Sequence, residues 1–255
     1  MSIRVYNENR LTKQPFFHRL INYLNTSDEI SLRMIKKEFS DENNLDRKLE
    51  EYIKAGYILR KDKRYSINLP IFSDEDFDFS EESDEPAILI YEESFLVQAD
   101  TQVDKALRQS QTNIILKNDT NDLKFAFSSD FLRTDDNLAN YFFHVANNLQ
   151  LSALEAEVYN ILGDVDPNYA LKYMTTFLLK YERRDLVPQK RADIFVKTLE
   201  KYGYIKKEDS KKYALDNLIL VDNLDLEIYK FDTARDFISK QILQNKKSQA
   251  RLSLT

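Results

Sequence analysis

Two short stretches of the sequence each place four cationic side chains within a few residues of one another. The first stretch holds Arg60, Lys61, Lys63 and Arg64, and the second holds Lys206, Lys207, Lys211 and Lys212. Clusters of this kind neutralise phosphates, and they equally keep an exposed turn soluble and protect the edge of a sheet. The chemistry they indicate is therefore either binding of a polyanion or solvation of a surface turn.

The flanking residues predict how each cluster is held. Residues 45–68 have the pattern of an amphipathic helix, a stop at Gly56 and a two-stranded hairpin, because glycine tolerates the left-handed backbone that follows many helices. Residues 192–216 repeat this pattern around Gly203. A helix followed by a basic hairpin is typical of the third helix and wing of a winged-helix domain, so the sequence predicts a duplicated domain of that type.

In winged-helix proteins that helix enters the major groove while the wing contacts the backbone. Arg47 and Lys48, near the start of the first helix, complete the set of candidate nucleic-acid-binding residues. The same helix carries Asp46, Glu50 and Glu51, which favour contact with a protein instead. Tyrosines near both hairpins could stack on bases, but an apolar ring with a hydrated hydroxyl more readily packs a hairpin against helices. These are Tyr52, Tyr57, Tyr65, Tyr202, Tyr204 and Tyr213.

Composition limits the class of protein. The net charge of −6 argues against a surface that coats nucleic acid as a whole, so only a local basic patch is expected. With no cysteine, the chain has no disulfide framework, zinc finger or cysteine nucleophile. No stretch approaches the roughly 18 apolar residues of a membrane span, and the first residues lack a signal-peptide core. We expect a cytoplasmic protein without a membrane partner.

No catalytic motif is present. Glycine occurs only at positions 56, 163 and 203, which excludes the glycine-rich phosphate loops and the nucleophile elbow. His18 and His144 have no second histidine or neighbouring carboxylate at ligand spacing, and the acidic residues near Asp74 lack the central glycine of a calcium loop. We therefore expect a non-enzyme with no catalytic residue, no cofactor and no metal.

The expected fold class is mainly α (α+β), with two winged-helix-like units flanking a small α+β connector. The expected domains are a winged-helix-like domain at 1–72, an acidic linker at 73–86, a small α+β segment at 87–135, a helical and second winged-helix-like domain at 136–220, and a C-terminal helix with a basic, frayed tail at 221–255. Within the α+β segment, residues 87–91 and 95–99 are expected to pair as strands.

The chain resembles a family of bacterial proteins that is known as a domain of unknown function and occurs in lactic-acid-type Gram-positive bacteria. The resemblance is carried by three stretches, TKQPFFHRLINYL, NLDRKLEEYIKAGYILRKDKRYSINLP and QKRADIFVKTLEKYGYI. The resemblance covers residues 1–72 best, and it implies no activity and no functional residues. In arrangement, paired winged helices are similar to a chromosome-segregation protein, which contacts proteins, and to plasmid replication initiators, which contact DNA.

The sequence thus predicts a non-catalytic, DNA-associated or regulatory protein. The alternative is an adaptor whose wings or acidic linker bind a protein partner. Double-stranded DNA and a protein are the candidate partners, and the sequence leaves the oligomeric state open.

Overall fold

The computed structural model describes residues 2–27, 30–79, 86–209 and 211–254. The chain forms two compact units, each assembled from segments that are distant in sequence. The first unit comprises Met1–Glu82, Ile90–Leu107 and Lys230–Leu243, and the second comprises Ser83–Leu89, Arg108–Tyr229 and Gln244–Thr255.

The helices of the described residues are α1 (Pro15–Leu24), α2 (Leu32–Glu38), α3 (Leu45–Lys54), α4 (Gln102–Gln109), α5 (Leu138–Ala146), α6 (Ala153–Leu162), α7 (Pro167–Leu178), α8 (Ile194–Lys201) and α9 (Ala234–Gln241). The strands are β1 (Ile3–Tyr6), β2 (Ile30–Ser31), β3 (Ile58–Lys61), β4 (Arg64–Ile67), β5 (Ile71–Phe72), β6 (Ala87–Ile90), β7 (Phe95–Gln98), β8 (Gln111–Lys117), β9 (Lys124–Asp130), β10 (Leu186–Pro188), β11 (Ile205–Asp209), β12 (Lys212–Leu215), β13 (Leu218–Val221), β14 (Glu227–Lys230) and β15 (Ala250–Ser253).

The fold class is α+β, and the expectation of a mainly α protein built from winged-helix-like units is wrong. In the part of the chain that the structure describes, 36% of residues are helical and 25% lie in strands, distributed over five sheets. Helical periodicity is visible locally, whereas strands as short as β2 and β5 exist only because distant segments supply their hydrogen bonds. Such strands leave too little local pattern in the sequence to be predicted from it.

In the first unit, β1 pairs antiparallel with β7 and β5 pairs parallel with it, while β2, β4 and β3 form a second small sheet. Phe17, Leu20, Leu49 and Tyr52 from α1 and α3 are almost fully buried beneath them. The predicted pairing of residues 87–91 with 95–99 is wrong, because β6 pairs with β14 and β7 pairs with β1 and β5.

In the second unit, β13, β15, β9 and β8 form a four-stranded sheet against α5 and α7, and β10, β12 and β11 form a three-stranded sheet. Strands β8 and β9 pair antiparallel along their whole length, from Gln111 opposite Asp130 to Lys117 opposite Lys124. The expectation of a frayed C-terminal tail is wrong, because β15 lies between β13 and β9 and buries Leu252 completely. Strand β15 has only four residues, in which Leu252 lies between two polar residues, and this alternation is too short to predict a strand.

Both glycines that end the predicted helices adopt the left-handed backbone that the sequence suggests. Gly56 has φ +79 and Gly203 has φ +71. In both places the following tyrosine donates its backbone N–H to a carbonyl in the last turn of the helix, Tyr57 to Tyr52 and Tyr204 to Leu199, each at 3.0 Å. This turn directs the chain from α3 or α8 into the hairpin that follows.

Candidate nucleic-acid interface

The end of the β3–β4 hairpin carries several exposed cations and is called the first hairpin end. Asp62 and Lys63 form its two-residue turn with φ of +49 and +62, the geometry of a type I′ turn. Lys61, Lys63 and Arg64 are exposed, and among the described residues no carboxylate lies within ion-pair distance of them. Arg60, one residue further from the end, forms an ion pair with Glu50 of α3.

The surface of α3 is different, because its cations are matched by carboxylates. Arg47 pairs with Glu51 across one helical turn at 3.0 Å. Lys48 pairs with Glu42, and its ammonium group lies 5.5 Å from the centroid of the Phe16 ring. The two residues of this helix that were predicted to bind nucleic acid, Arg47 and Lys48, are therefore already paired with carboxylates of the same chain. Lys48 also packs against the core.

A further ion pair lies at the start of the same helix. Lys36 of α2 contacts Asp46 at 2.8 Å, and Arg19 of α1 reaches Glu42 at 2.7 Å and Asp41 at 3.3 Å. Positive and negative charges are thus balanced around α3, because carboxylates pair with Arg47 and Lys48, the cations that could bind phosphate.

The end of the β11–β12 hairpin, the second hairpin end, also exposes cations. Lys206 pairs with Glu208 at 3.2 Å. Lys207, Lys211 and Lys212 are exposed, and they form no ion pair with any residue that the structure describes. This hairpin is one residue longer than the first, with an irregular register between Lys207 and Asp209.

Strand β10 brings two more cations to the second hairpin end, which the sequence analysis missed. Pro188 lies opposite Lys212 in the sheet, and the backbone N–H of Gln189 donates to the carbonyl of Lys211 at 2.7 Å. Lys190 and Arg191 follow immediately and are exposed. The consecutive letters KR were visible before α8, but only the pairing of β10 with β12 shows that they adjoin the hairpin.

The tyrosines singled out by the sequence pack the hairpins, and most are inaccessible to bases. Tyr52, Tyr65, Tyr204 and Tyr213 are buried, and Tyr57 and Tyr202 are half-buried, so the packing interpretation is confirmed. Burial, with a contribution from the charges of Glu42 and Glu51, raises the pKa of Tyr52 to about 12. Burial likewise raises the pKa of Tyr204, whose hydroxyl accepts a hydrogen bond from the backbone N–H of Leu138 at 3.2 Å.

Both histidines have carboxylate partners that sequence spacing did not reveal. His18 Nε2 lies 3.0 Å from Glu8, and His144 Nδ1 lies 2.8 Å from Oε1 of the buried Glu155. Glu155 also accepts the backbone N–H of Ser152 at 2.8 Å in the capping box that begins α6. The His144–Glu155 pair therefore links α5 to the start of α6, which is a structural role.

The described part of the acidic run is docked to the protein. Both carboxylate oxygens of Asp74 accept backbone N–H groups at the start of α4, from Gln102 at 3.1 Å and Val103 at 2.8 Å. Phe77 packs on Phe72 with ring centroids 5.7 Å apart. Residues 80–85 of the predicted acidic linker lie outside the described residues.

Metal ligands, cavities and membrane-spanning helices are the other features of the described residues that could mark a site. No group of three His, Cys, Asp or Glu side chains there is placed to hold a metal ion. A cavity of about 300 Å³ in the first unit is lined by Tyr91, Glu92, Glu93, Asp232 and neighbouring residues. No described helix is long and apolar enough to cross a bilayer.

The fold and this surface define an α+β protein with two exposed, cation-rich hairpin ends. Residues 3–110 match the model of a family described as a domain of unknown function, DUF1803. The match includes the first unit's α3 and its hairpin, and it supports the resemblance to a family whose domain has no assigned function. No curated protein and no solved structure matches the chain.

Proposed function

We propose that this is a non-catalytic, DNA-associated protein that contacts the phosphate backbone through its two hairpin ends. The observation that carries the proposal is that each end exposes three cations without an ion-pair partner among the described residues. Cations that are already paired must lose a protein contact before they bind phosphate, whereas these six need only release water and counterions.

The same geometry favours backbone contact over recognition of bases by α3. Its cations Arg47 and Lys48 are engaged by Glu51 and Glu42, so this helix presents a nearly neutral face. Contacts to phosphate position a protein on DNA without selecting a sequence. The proposed mode is therefore binding with little sequence preference and strong dependence on salt.

Titration of labelled duplex DNA at increasing salt tests the proposal. Reversing the first hairpin end with Lys61→Glu, Lys63→Glu and Arg64→Glu should weaken binding and make the negative slope of log affinity against log salt shallower by about 2.7, since each of the three phosphate contacts contributes about 0.9. A matched control reverses three exposed cations of the same unit, Lys13, Lys37 and Lys54, and changes the net charge equally. Equal losses in both variants would contradict a role for the hairpin, as would absence of binding at micromolar protein in low salt.

A protein-binding adaptor is the second candidate, and the charge-balanced face of α3 favours it. Two exposed apolar residues belong to the same unit, Met34 at 47% and Leu59 at 46% exposure. Exchanging one pair, Arg47→Glu together with Glu51→Arg, keeps the net charge but inverts the pattern. A protein partner that recognises this face should be lost from a pull-down, while a DNA contact at the hairpin ends should be unchanged.

A further inference from the structure

Two tyrosines that the sequence analysis did not single out are exposed side by side on α7. Tyr169 is 52% exposed and Tyr173, one turn later, is 41% exposed, and their ring centroids lie 4.8 Å apart. Phe195 of α8 lies against both, nearly parallel to Tyr173 at 5.0 Å and edge-on to Tyr169 at 5.9 Å. The three rings form an aromatic cluster in which Phe195 is buried, at 8% exposure, and the two tyrosines carry the exposed ring surface.

The aromatic cluster is held in place by the caps of two helices. Asp166 accepts the backbone N–H of Tyr169 at 3.0 Å at the start of α7. Asp193 accepts the backbone N–H groups of Phe195 at 3.0 Å and Val196 at 2.9 Å at the start of α8. The two nearest carboxylates in sequence are thus engaged in capping, and the rings sit on rigid helices rather than on a loop.

One cation contacts the aromatic cluster, and two more lie near it in the sequence. The Lys172 ammonium lies 5.6 Å from the centroid of the Tyr173 ring. Arg191, preceded by Lys190, lies four residues before Phe195, and these two follow the strand that adjoins the second hairpin end. Among the described residues, none of the three cations forms an ion pair with a carboxylate. The surface therefore combines flat apolar rings with unpaired positive charge.

We propose that Tyr169 and Tyr173 of the aromatic cluster stack on unpaired bases of single-stranded nucleic acid, with the adjoining phosphates contacted by Lys172, Lys190 and Arg191. Proteins that hold single strands combine aromatic platforms with a cationic path, because every base has a π face and every nucleotide carries a phosphate. In a duplex the base faces are stacked on one another and cannot reach an exposed ring. The inference rests on the proposed function and adds to it a contact with bases that only a single strand can make.

The test compares three labelled ligands on the full chain by fluorescence anisotropy: an oligothymidine, an abasic oligonucleotide of the same length and charge, and a duplex. Oligothymidine should bind more tightly than the abasic strand. The double variant Tyr169→Ala with Tyr173→Ala should lose between about 5-fold and 150-fold of that affinity per stacked base. Tyr169→Phe with Tyr173→Phe should retain it, because a phenyl ring still stacks.

A matched control is Tyr159→Ala, which removes another exposed tyrosine, 44% accessible, from α6 of the same unit. It should leave oligothymidine binding unchanged. Equal affinity for the oligothymidine and the abasic strand would overturn stacking but leave the proposed function standing. Absence of binding to all three ligands in low salt would overturn both.

Two further outcomes would also overturn the stacking site. The alanine double variant could weaken all three ligands equally, which would show a role in folding alone. Alternatively, it could change the sedimentation behaviour of the protein while leaving oligothymidine affinity intact, which would identify the aromatic cluster as a protein contact.

Discussion

The two helix–hairpin segments, residues 45–68 and 193–217, share a backbone design but present different chemistry. In both, a glycine with positive φ ends the helix and a later asparagine donates its side-chain amide to that glycine's carbonyl, Asn68 to Gly56 at 2.8 Å and Asn217 to Gly203 at 3.2 Å. In both, the residue after the second hairpin strand donates its backbone N–H to the carbonyl of the tyrosine that follows the glycine, Asn68 to Tyr57 and Asp216 to Tyr204, each at 3.0 Å. A duplication stays a prediction, but the shared hydrogen bonds agree with it.

The difference lies in what surrounds each helix. Carboxylates from the loop after α2 and from α3 itself pair with Lys48 and Arg47 of the first helix, whereas Lys61, Lys63 and Arg64 of its hairpin end have no ion-pair partner among the described residues. Beside the second helix, β10 adds Lys190 and Arg191, and α7 adds two exposed rings. The comparison shows that one local scaffold can display either a neutral face or a cationic and aromatic one, depending on its neighbours.

The largest effect on stability is expected from truncating the two buried residues that occupy equivalent positions in these segments. Tyr52→Ala in α3 should lower the free energy of unfolding by about 3–5 kcal/mol, and Leu199→Ala in α8 by about 2–5 kcal/mol, because both side chains are fully buried. Chemical denaturation followed by circular dichroism measures both. A loss below 1 kcal/mol at either position would show that the two segments are not held by equivalent cores.

The two glycines should come next. Gly56→Ala and Gly203→Ala each place a Cβ on a left-handed backbone, which costs about 1–2 kcal/mol. The two losses should be similar, since the Cβ at position 56 would meet nothing within 4 Å and the Cβ at position 203 would make an ordinary contact of 3.4 Å with Asn217 Nδ2. Thermal melts of the two variants measure both losses, and a difference well above 1 kcal/mol would show that the two turns are not equivalent.

A smaller effect, with opposite signs for stability and binding, is expected at Lys63. Because its φ of +62 is strained for a residue with a Cβ, Lys63→Gly should raise stability by about 1 kcal/mol. The same change removes one cation, so the negative slope of log DNA affinity against log salt should become shallower by about 0.9. Weaker binding by a more stable protein cannot be attributed to unfolding, and unchanged binding would remove Lys63 from the interface.

The smallest effect at neutral pH concerns the buried tyrosines. The pKa of Tyr52 is raised to about 12, so between about pH 10 and pH 12 the native state holds a proton that the unfolded state has lost. Stability should therefore fall as the pH rises through that window and be unaffected below it. Melting temperatures at pH 9 and pH 11 test this, and Tyr52→Phe should reduce the difference.

The local elements could be predicted from the sequence, whereas the surface could not. We could place α3 from the helical spacing of its apolar residues and its end from Gly56. The strand pattern after that glycine was sufficient to place the hairpin. The partners of Lys48 and Arg60, and the approach of Lys190 to the second hairpin end, required the packing of segments that no spacing rule connects. His144 and Glu155 illustrate the same limit, since eleven residues separate two groups that touch.

The sequence by itself determined where α3 and α8 end, that a hairpin follows each of them and that the tyrosines beside them are packed, because these follow from the conformational freedom of glycine and the periodicity of apolar residues. Only the tertiary structure decided that the protein is α+β, since strands such as β1, β5 and β15 depend on hydrogen bonds from distant segments. It also decided which cations are free, because a charge on the surface is neutralised by whichever carboxylate folding places beside it.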